Sequence, residues 1–292
     1  TLPHALPYDD IKHAKFNNLS PARKAAILQS LIARDPEWNG LKANLNLALL
    51  NLNHIQRFGI LWPLRGQLQT VKEQLASGEE LLTESLPILR LLPAFSGYPE
   101  TARYLIMLQN NDELRPTGGF LGSYVRADIK NFGEIENLKS DDVYHLDMPA
   151  IGKTQYQAPA PISKYLKVEN WYLRDANWSP DWPQSARQIQ EMFIAESLAG
   201  EQEVPPLDGV LAITPDFVAN LLKITGPITV RGESYAPENM QALLQYNVEV
   251  AYKDNDISSW DRKDIINELI NALKDKLMAL PLNQYPQLIT RL

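Results

Sequence analysis

The hydrophobic period of this chain changes near residue 100, so its two parts cannot share one kind of secondary structure. Upstream, Leu41, Leu45, Leu49, Leu52 and Ile55 recur at four, four, three and three, which lays them on one stripe of a helix. Ser20 followed by Pro21 predicts a helix start, because the hydroxyl can cap free N–H groups and proline suits the first helical position. Ile27, Leu28, Leu31 and Ile32 give that helix an apolar face up to Asp35-Pro36. Two more helical stretches are expected, from Leu64 to Ala76 and from Glu79 to Leu92. Ser77-Gly78 separates them, and Pro87 kinks or ends the second. Residues 1–97 thus read as a helical bundle or spacer, with partner binding by the leucine stripe as the alternative.

Downstream the pattern is that of a sheet. Tyr104 to Leu108 is a short apolar run, Phe120 to Ile129 alternates in part, and Asp208 to Ile213 is a third strand. Thr214-Pro215 opens a helix that Gly226-Pro227 stops, and Ile228 to Val230 is again a strand. Such a succession predicts an α/β domain over 98–292, with helices on the faces of its sheet. Near the end, Ile265, Ile266, Leu269, Ile270, Leu273 and Leu277 share one helix side, with Ser258 and Asp261 spaced as its capping box. Residues 139–166, weak in periodicity, are expected to run over the surface as a long loop.

Composition narrows the function classes. The net charge of −7 argues against a general nucleic-acid or anionic-membrane binder. With no cysteine, thiolate metal sites, iron–sulfur clusters and cysteine nucleophiles are excluded, and the four scattered histidines lack zinc-site spacing. No window of eighteen apolar residues is present to span a membrane. The chain opens at Thr1 without methionine and is read as an excised fragment.

Two segments carry candidate chemistry. In the first, Asn110 to Ser123, Arg115 offers a planar, always-charged fork. Gly118, Gly119 and Gly122 can bring backbone N–H groups close to an anion at a strand end. A plain turn accounts for the same residues. In the second, Trp171, Trp178 and Trp182 flank Arg174-Asp175. An arginine can hold a phosphate bidentately, and an adjacent carboxylate can orient it, bind a metal or take a proton. Tryptophans beside such a pair can exclude water or grip a hydrocarbon or sugar, or simply fill core.

The strings LQNNDELRPTGGFLGSYV, LRDANWSPDWPQSA and LDGVLAITPDFVANLLKITGPITV, in that order, resemble an uncharacterised bacterial domain-of-unknown-function family of mostly membrane-anchored envelope proteins. That family is distantly similar to the LytR-CpsA-Psr phosphotransferases, which move a glycopolymer from a polyprenyl-pyrophosphate carrier to the cell wall. Leu173-Arg174-Asp175 resembles their Pro-Arg-Asp element, Arg115 the arginine of their Arg-Ser/Thr-Asp element, and Asp261-Arg262-Lys263 their Arg-Gln-Gln helix start. The resemblance implies a mixed central sheet with helices on both faces. It implies Arg174, Asp175, Arg115 and Arg262 as catalytic residues, with Gly118, Gly119, Gly122, Trp171 and Trp178 beside the ligand. It also implies a Mg²⁺ or Mn²⁺ ion, for which Asp112 and Glu113 are the nearest carboxylates, and a membrane anchor upstream of Thr1 in an extracytoplasmic protein. The expected partner is a polyprenyl-pyrophosphate-linked or cell-wall glycan, not nucleic acid. Pro116-Thr117 depart from the pattern by removing its metal-holding aspartate, and both glutamines are lost. A non-catalytic module binding a glycan, lipid or protein is therefore the alternative.

Overall fold

A computed structural model describes residues 15, 18–55, 65–98, 100–131, 133–254, 257–281, 284 and 288. The chain divides into two compact units, Thr1–Ser96 with Ala279–Leu292, and Gly97–Met278. In the first unit, the Ser20 hydroxyl accepts from the Arg23 N–H at 3.3 Å and starts α1 (Pro21–Ala33). Helices α2 (Asp35–Ile55) and α3 (Arg65–Phe95) follow. Arg90 of α3 pairs with Asp35 of α2 at 2.7 Å, while Glu79 accepts from Asn46 at 3.3 Å. Early residues of one helix thus meet late residues of the other, and the pair is antiparallel.

Helix α3 corrects the expected break: it runs without interruption through Ser77-Gly78 and Pro87. Its Leu-, Glu- and Gln-rich composition has enough helix propensity to carry both breakers. The expected start at Leu64 lies outside the described residues.

The second unit begins with β1 (Ala102–Asn110), β2 (Phe120–Lys130) and β3 (Glu134–Asp142). Helices α4 (Tyr144–Ala150) and α5 (Ala160–Leu166), the 3₁₀ turn Leu173–Asp175 and helix α6 (Trp182–Ala199) come next. Strand β4 (Gly209–Ile213), helix α7 (Pro215–Thr225), strands β5 (Ile228–Val230) and β6 (Glu233–Tyr235) and helix α8 (Met240–Tyr246) lead to α9 (Asp264–Met278). The main sheet has the order β3-β2-β1-β4, with β4 parallel to β1 and the other pairs antiparallel. It is a mixed α/β sheet with helices on both faces.

Alternation along β1 sorts its side chains. Leu105 and Met107 join Leu121 and Tyr124 of β2 in a core completed by Leu146 of α4 and Ile189, Met192 and Phe193 of α6. The Tyr124 and Phe193 rings meet edge-on at 5.4 Å. Ile106, Leu108 and Val125 point to the opposite face, toward α9. A bulge between Leu108 and Gln109 leaves Gly122 without a ladder partner, so Leu121 and Tyr124 share one face despite their odd spacing.

Three further expectations are corrected. Strand β5 does not return to the main sheet but pairs with β6 in a separate hairpin, so β4–α7–β5 is not a crossover unit. Residues 139–166 are not a surface loop: they hold the end of β3 and helices α4 and α5, and Leu146, Asp147 and Ala150 are buried. Ser258 does not cap α9; its hydroxyl accepts from the Trp260 N–H at 3.0 Å in a turn that precedes the helix start at Asp264.

Candidate functional site

Between the second face of the sheet and the layer of α7, α8 and α9 lies a cavity of about 670 Å³. Its walls are apolar because strand alternation and the α9 stripe both aim there: Ile106, Leu108, Val125 and Leu138 from the sheet, Ile266, Ile270 and Leu273 from the helix. The size falls within the range of roughly 300–1,000 Å³ usual for small-molecule sites.

One end of this cavity is charged. Arg115, Arg174, Arg262 and Lys263 all line it, and their side chains are between 11% and 23% exposed, so this end meets solvent. The charges form a continuous arc. Arg115 donates through Nε to Asp175 Oδ1 at 3.1 Å and pairs with Glu113 at 2.9 Å. Arg174 lies 3.8 Å from Asp175 Oδ2 and donates to Asp147 Oδ2 at 2.7 Å. The Tyr144 ring sits between the next two cations, 5.3 Å from Arg174 and 5.8 Å from Lys263. Lys263 bonds the Gly122 carbonyl at 2.5 Å and Asp142 at 2.9 Å, and its neighbour Arg262 pairs with Glu249 at 3.3 Å.

Local chemistry explains how separate segments converge here. The Asn177 amide donates to Gly119 O and to Thr117 Oγ1, each at 2.8 Å, and Gln109 donates to the same hydroxyl at 2.5 Å. Thr117 therefore ties the β1–β2 loop to the 3₁₀ turn, and the Arg115–Asp175 pair closes the same junction. Gly119 is required at this point, because a Cβ there would lie 2.4 Å from the Asn110 carbonyl oxygen.

Behind Arg174 stands a carboxyl pair that sequence reasoning missed. Asp147 is fully buried and holds the guanidinium, and Glu196 of α6, also fully buried, accepts from the Leu173 N–H at 2.8 Å. Asp147 Oδ1 and Glu196 Oε2 have no other donor. One proton between the two acids satisfies both. Burial, then the hydrogen bond and charge of Asp147, push Glu196 up to about 9, so the pair keeps one proton at neutral pH. Burial also raises Asp147, while the Glu196 hydrogen bond and Arg174 pull it back toward the charged form. Forty-nine residues separate the two acids, and neither lies in a recognisable motif.

The sequence-predicted residues divide accordingly. Arg115, Arg174, Asp175, Arg262, Gly122, Asp112 and Glu113 line the cavity. Gly118 and Gly119 do not: the Gly118 N–H donates to the Arg115 carbonyl at 2.9 Å, inside the turn. Trp171 donates to the Asp175 carbonyl at 2.8 Å and packs on the core, so it braces the 3₁₀ turn from outside the cavity, and Trp178 is also absent from the lining. Asp112 accepts from Gln241 at 2.6 Å, and Glu113 and Asp175 are tied to Arg115. Among the described residues no three His, Asp or Glu side chains group to hold a metal. This donor set does not fit a resident divalent ion, since the carboxylates nearest the arginines already neutralise them.

Among the described residues no helix is long and apolar enough to cross a membrane. No curated protein and no solved structure matches the chain. A family model described as "Protein of unknown function (DUF4012)" matches residues 100–248, which include Arg115, Asp147, Arg174 and Glu196. On that match, which spans half of its length, the chain belongs to the DUF4012 family of proteins of unknown function.

Proposed function

We propose that this chain is a cell-envelope protein that binds a glycan carried on polyprenyl pyrophosphate and transfers it, or hydrolyses its pyrophosphate, in the manner of the LytR-CpsA-Psr phosphotransferases. The observation that carries this reading is the pairing of one large apolar cavity with an arc of cations at its solvent end. That combination matches an amphiphile with a long hydrocarbon tail and a multiply charged head. Each buried methylene contributes roughly 0.8 kcal/mol, so the tail would supply most of the affinity and the head the register.

The chemistry follows from the residues present. The acceptor hydroxyl oxygen forms a bond to the glycan-linked phosphorus, the bond from that phosphorus to the bridging oxygen breaks, and polyprenyl phosphate leaves. Negative charge grows on the bridging oxygen, where Arg115 and Arg174 stabilise it without reorganising, being held already by Asp175 and Asp147. Asp175 Oδ2 is 3.8 Å from Arg174 Nε, too far for a hydrogen bond, and is the oxygen that takes the acceptor's proton. On this reading the protein works at the outer face of a membrane, where a cell-wall acceptor would be met.

A second reading, a non-catalytic module that holds the same lipid, is favoured by the structural use of Thr117 and by the paired state of the carboxylates. Phosphate release from polyprenyl pyrophosphate, measured for wild type and Arg174→Ala with lipid binding in parallel, separates the two. Arg174-dependent release supports transfer chemistry, binding without release supports the module, and absence of both rejects the lipid reading.

A further inference from the structure

A bound pyrophosphate ester needs its charge neutralised where the two phosphates meet, and metal-using phosphotransferases assign that to a divalent ion. Here three carboxylates at the charged end each already face a cation. Asp142 pairs with Lys263, Asp175 and Glu113 pair with Arg115, and among the described residues no metal-holding group exists. We propose that the ammonium of Lys263 takes the place of that ion, so that the cavity binds a lipid pyrophosphate without a divalent metal. This inference rests on the lipid-pyrophosphate reading of the cavity.

The position of Lys263 is constructed rather than incidental. The Gly122 carbonyl accepts from the Val143 N–H at 3.3 Å, and Lys263 Nζ donates to its second lone pair at 2.5 Å. A second contact goes to Asp142 Oδ2 at 2.9 Å. An ammonium has three donors, so one is left for a ligand, and the side chain lines the cavity beside Arg262. The Tyr144 ring lies 5.8 Å from the Lys263 ammonium, and the lysine side chain is 11% exposed. Burial lowers the affinity of Lys263 for its proton and Asp142 restores it in part. An anionic pyrophosphate oxygen at the third donor adds to that compensation.

The test is equilibrium binding of a polyprenyl pyrophosphate to the whole chain, in Mg²⁺ and in excess EDTA, for wild type, Lys263→Met and the double variant Lys263→Met/Asp142→Asn. The double variant removes both charges and leaves no unpaired buried carboxylate, which keeps the experiment readable if the single variant unfolds. Wild type is expected to bind equally in both media, and the folded variants about tenfold or more weaker, the loss typical of one charged hydrogen bond. Lys263→Arg is expected to recover part of the loss. A strong dependence on Mg²⁺ in wild type, or undiminished binding by the double variant, overturns the proposal while leaving the lipid reading intact. Failure of folded wild type to bind the lipid in either medium removes the lipid reading and this inference with it.

Discussion

Glu196→Gln converts a buried acid that titrates into an amide that does not. In wild type the Glu196 carboxyl is pushed up to about 9, against a value of 4.5 when unfolded. The folded state therefore keeps a proton that the unfolded state releases above pH 4.5. A raised folded value contributes stability that is full below the unfolded value and is lost as pH climbs toward the folded one. Over that window a single retained proton costs one factor of ten per pH unit, so roughly 3 kcal/mol between pH 6 and pH 8. Gln preserves the geometry, because its oxygen can accept from Leu173 N–H and its amide can donate to Asp147 in place of the proton. Urea unfolding followed by tryptophan fluorescence reports on this unit, which holds four of the six tryptophans. The stability difference, variant minus wild type, should rise in favour of Gln by about 1.4 kcal/mol per unit from pH 6 to pH 8. A difference that stays flat with pH would refute the shared-proton arrangement, and one that falls would reverse its sign.

Other perturbations act on the same frame. Gly119→Ala drives a methyl into the Asn110 carbonyl oxygen, and is expected to cost about 1–3 kcal/mol in urea unfolding and to weaken pyrophosphate binding through the Arg115–Asp175 junction. Asn177→Leu removes both donors that fix the β1–β2 loop; faster hydrogen exchange at Thr117 to Phe120 should accompany a loss of about 1–3 kcal/mol. Ile270→Trp fills the cavity from α9 and should exclude an apolar fluorescent probe while the thermal midpoint changes little; unaltered probe binding would move the ligand elsewhere.

What the sequence makes legible depends on the range of the interaction. Caps are local, and Ser20 and Thr214 do start helices, Thr214 accepting from Phe217 N–H at 3.4 Å. The stripe of Ile266, Leu269, Ile270 and Leu273 is periodic, and all four line the cavity from α9. Arg115, Arg174 and Arg262, far apart in sequence, stand in motifs that can be read and line that same cavity. Breakers mislead where surrounding propensity is strong, as at Pro87 within α3. Edge strand β3, Glu134–Asp142, is too polar to show a clear alternation. The Asp147–Glu196 pair depends on α4 packing against α6, and the placement of Lys263 on groups of two distant strands, so neither leaves a local mark.

On the proposed reading, one apolar cavity with a cationic end holds a lipid pyrophosphate. Native mass spectrometry of the chain with a polyprenyl pyrophosphate, and with the matching polyprenyl alcohol and inorganic pyrophosphate as competitors, tests it most directly. The account predicts a one-to-one complex that Ile270→Trp abolishes, that Arg174→Ala weakens, and that neither competitor alone displaces at equal concentration. A complex insensitive to both substitutions, or none with folded protein, would contradict it.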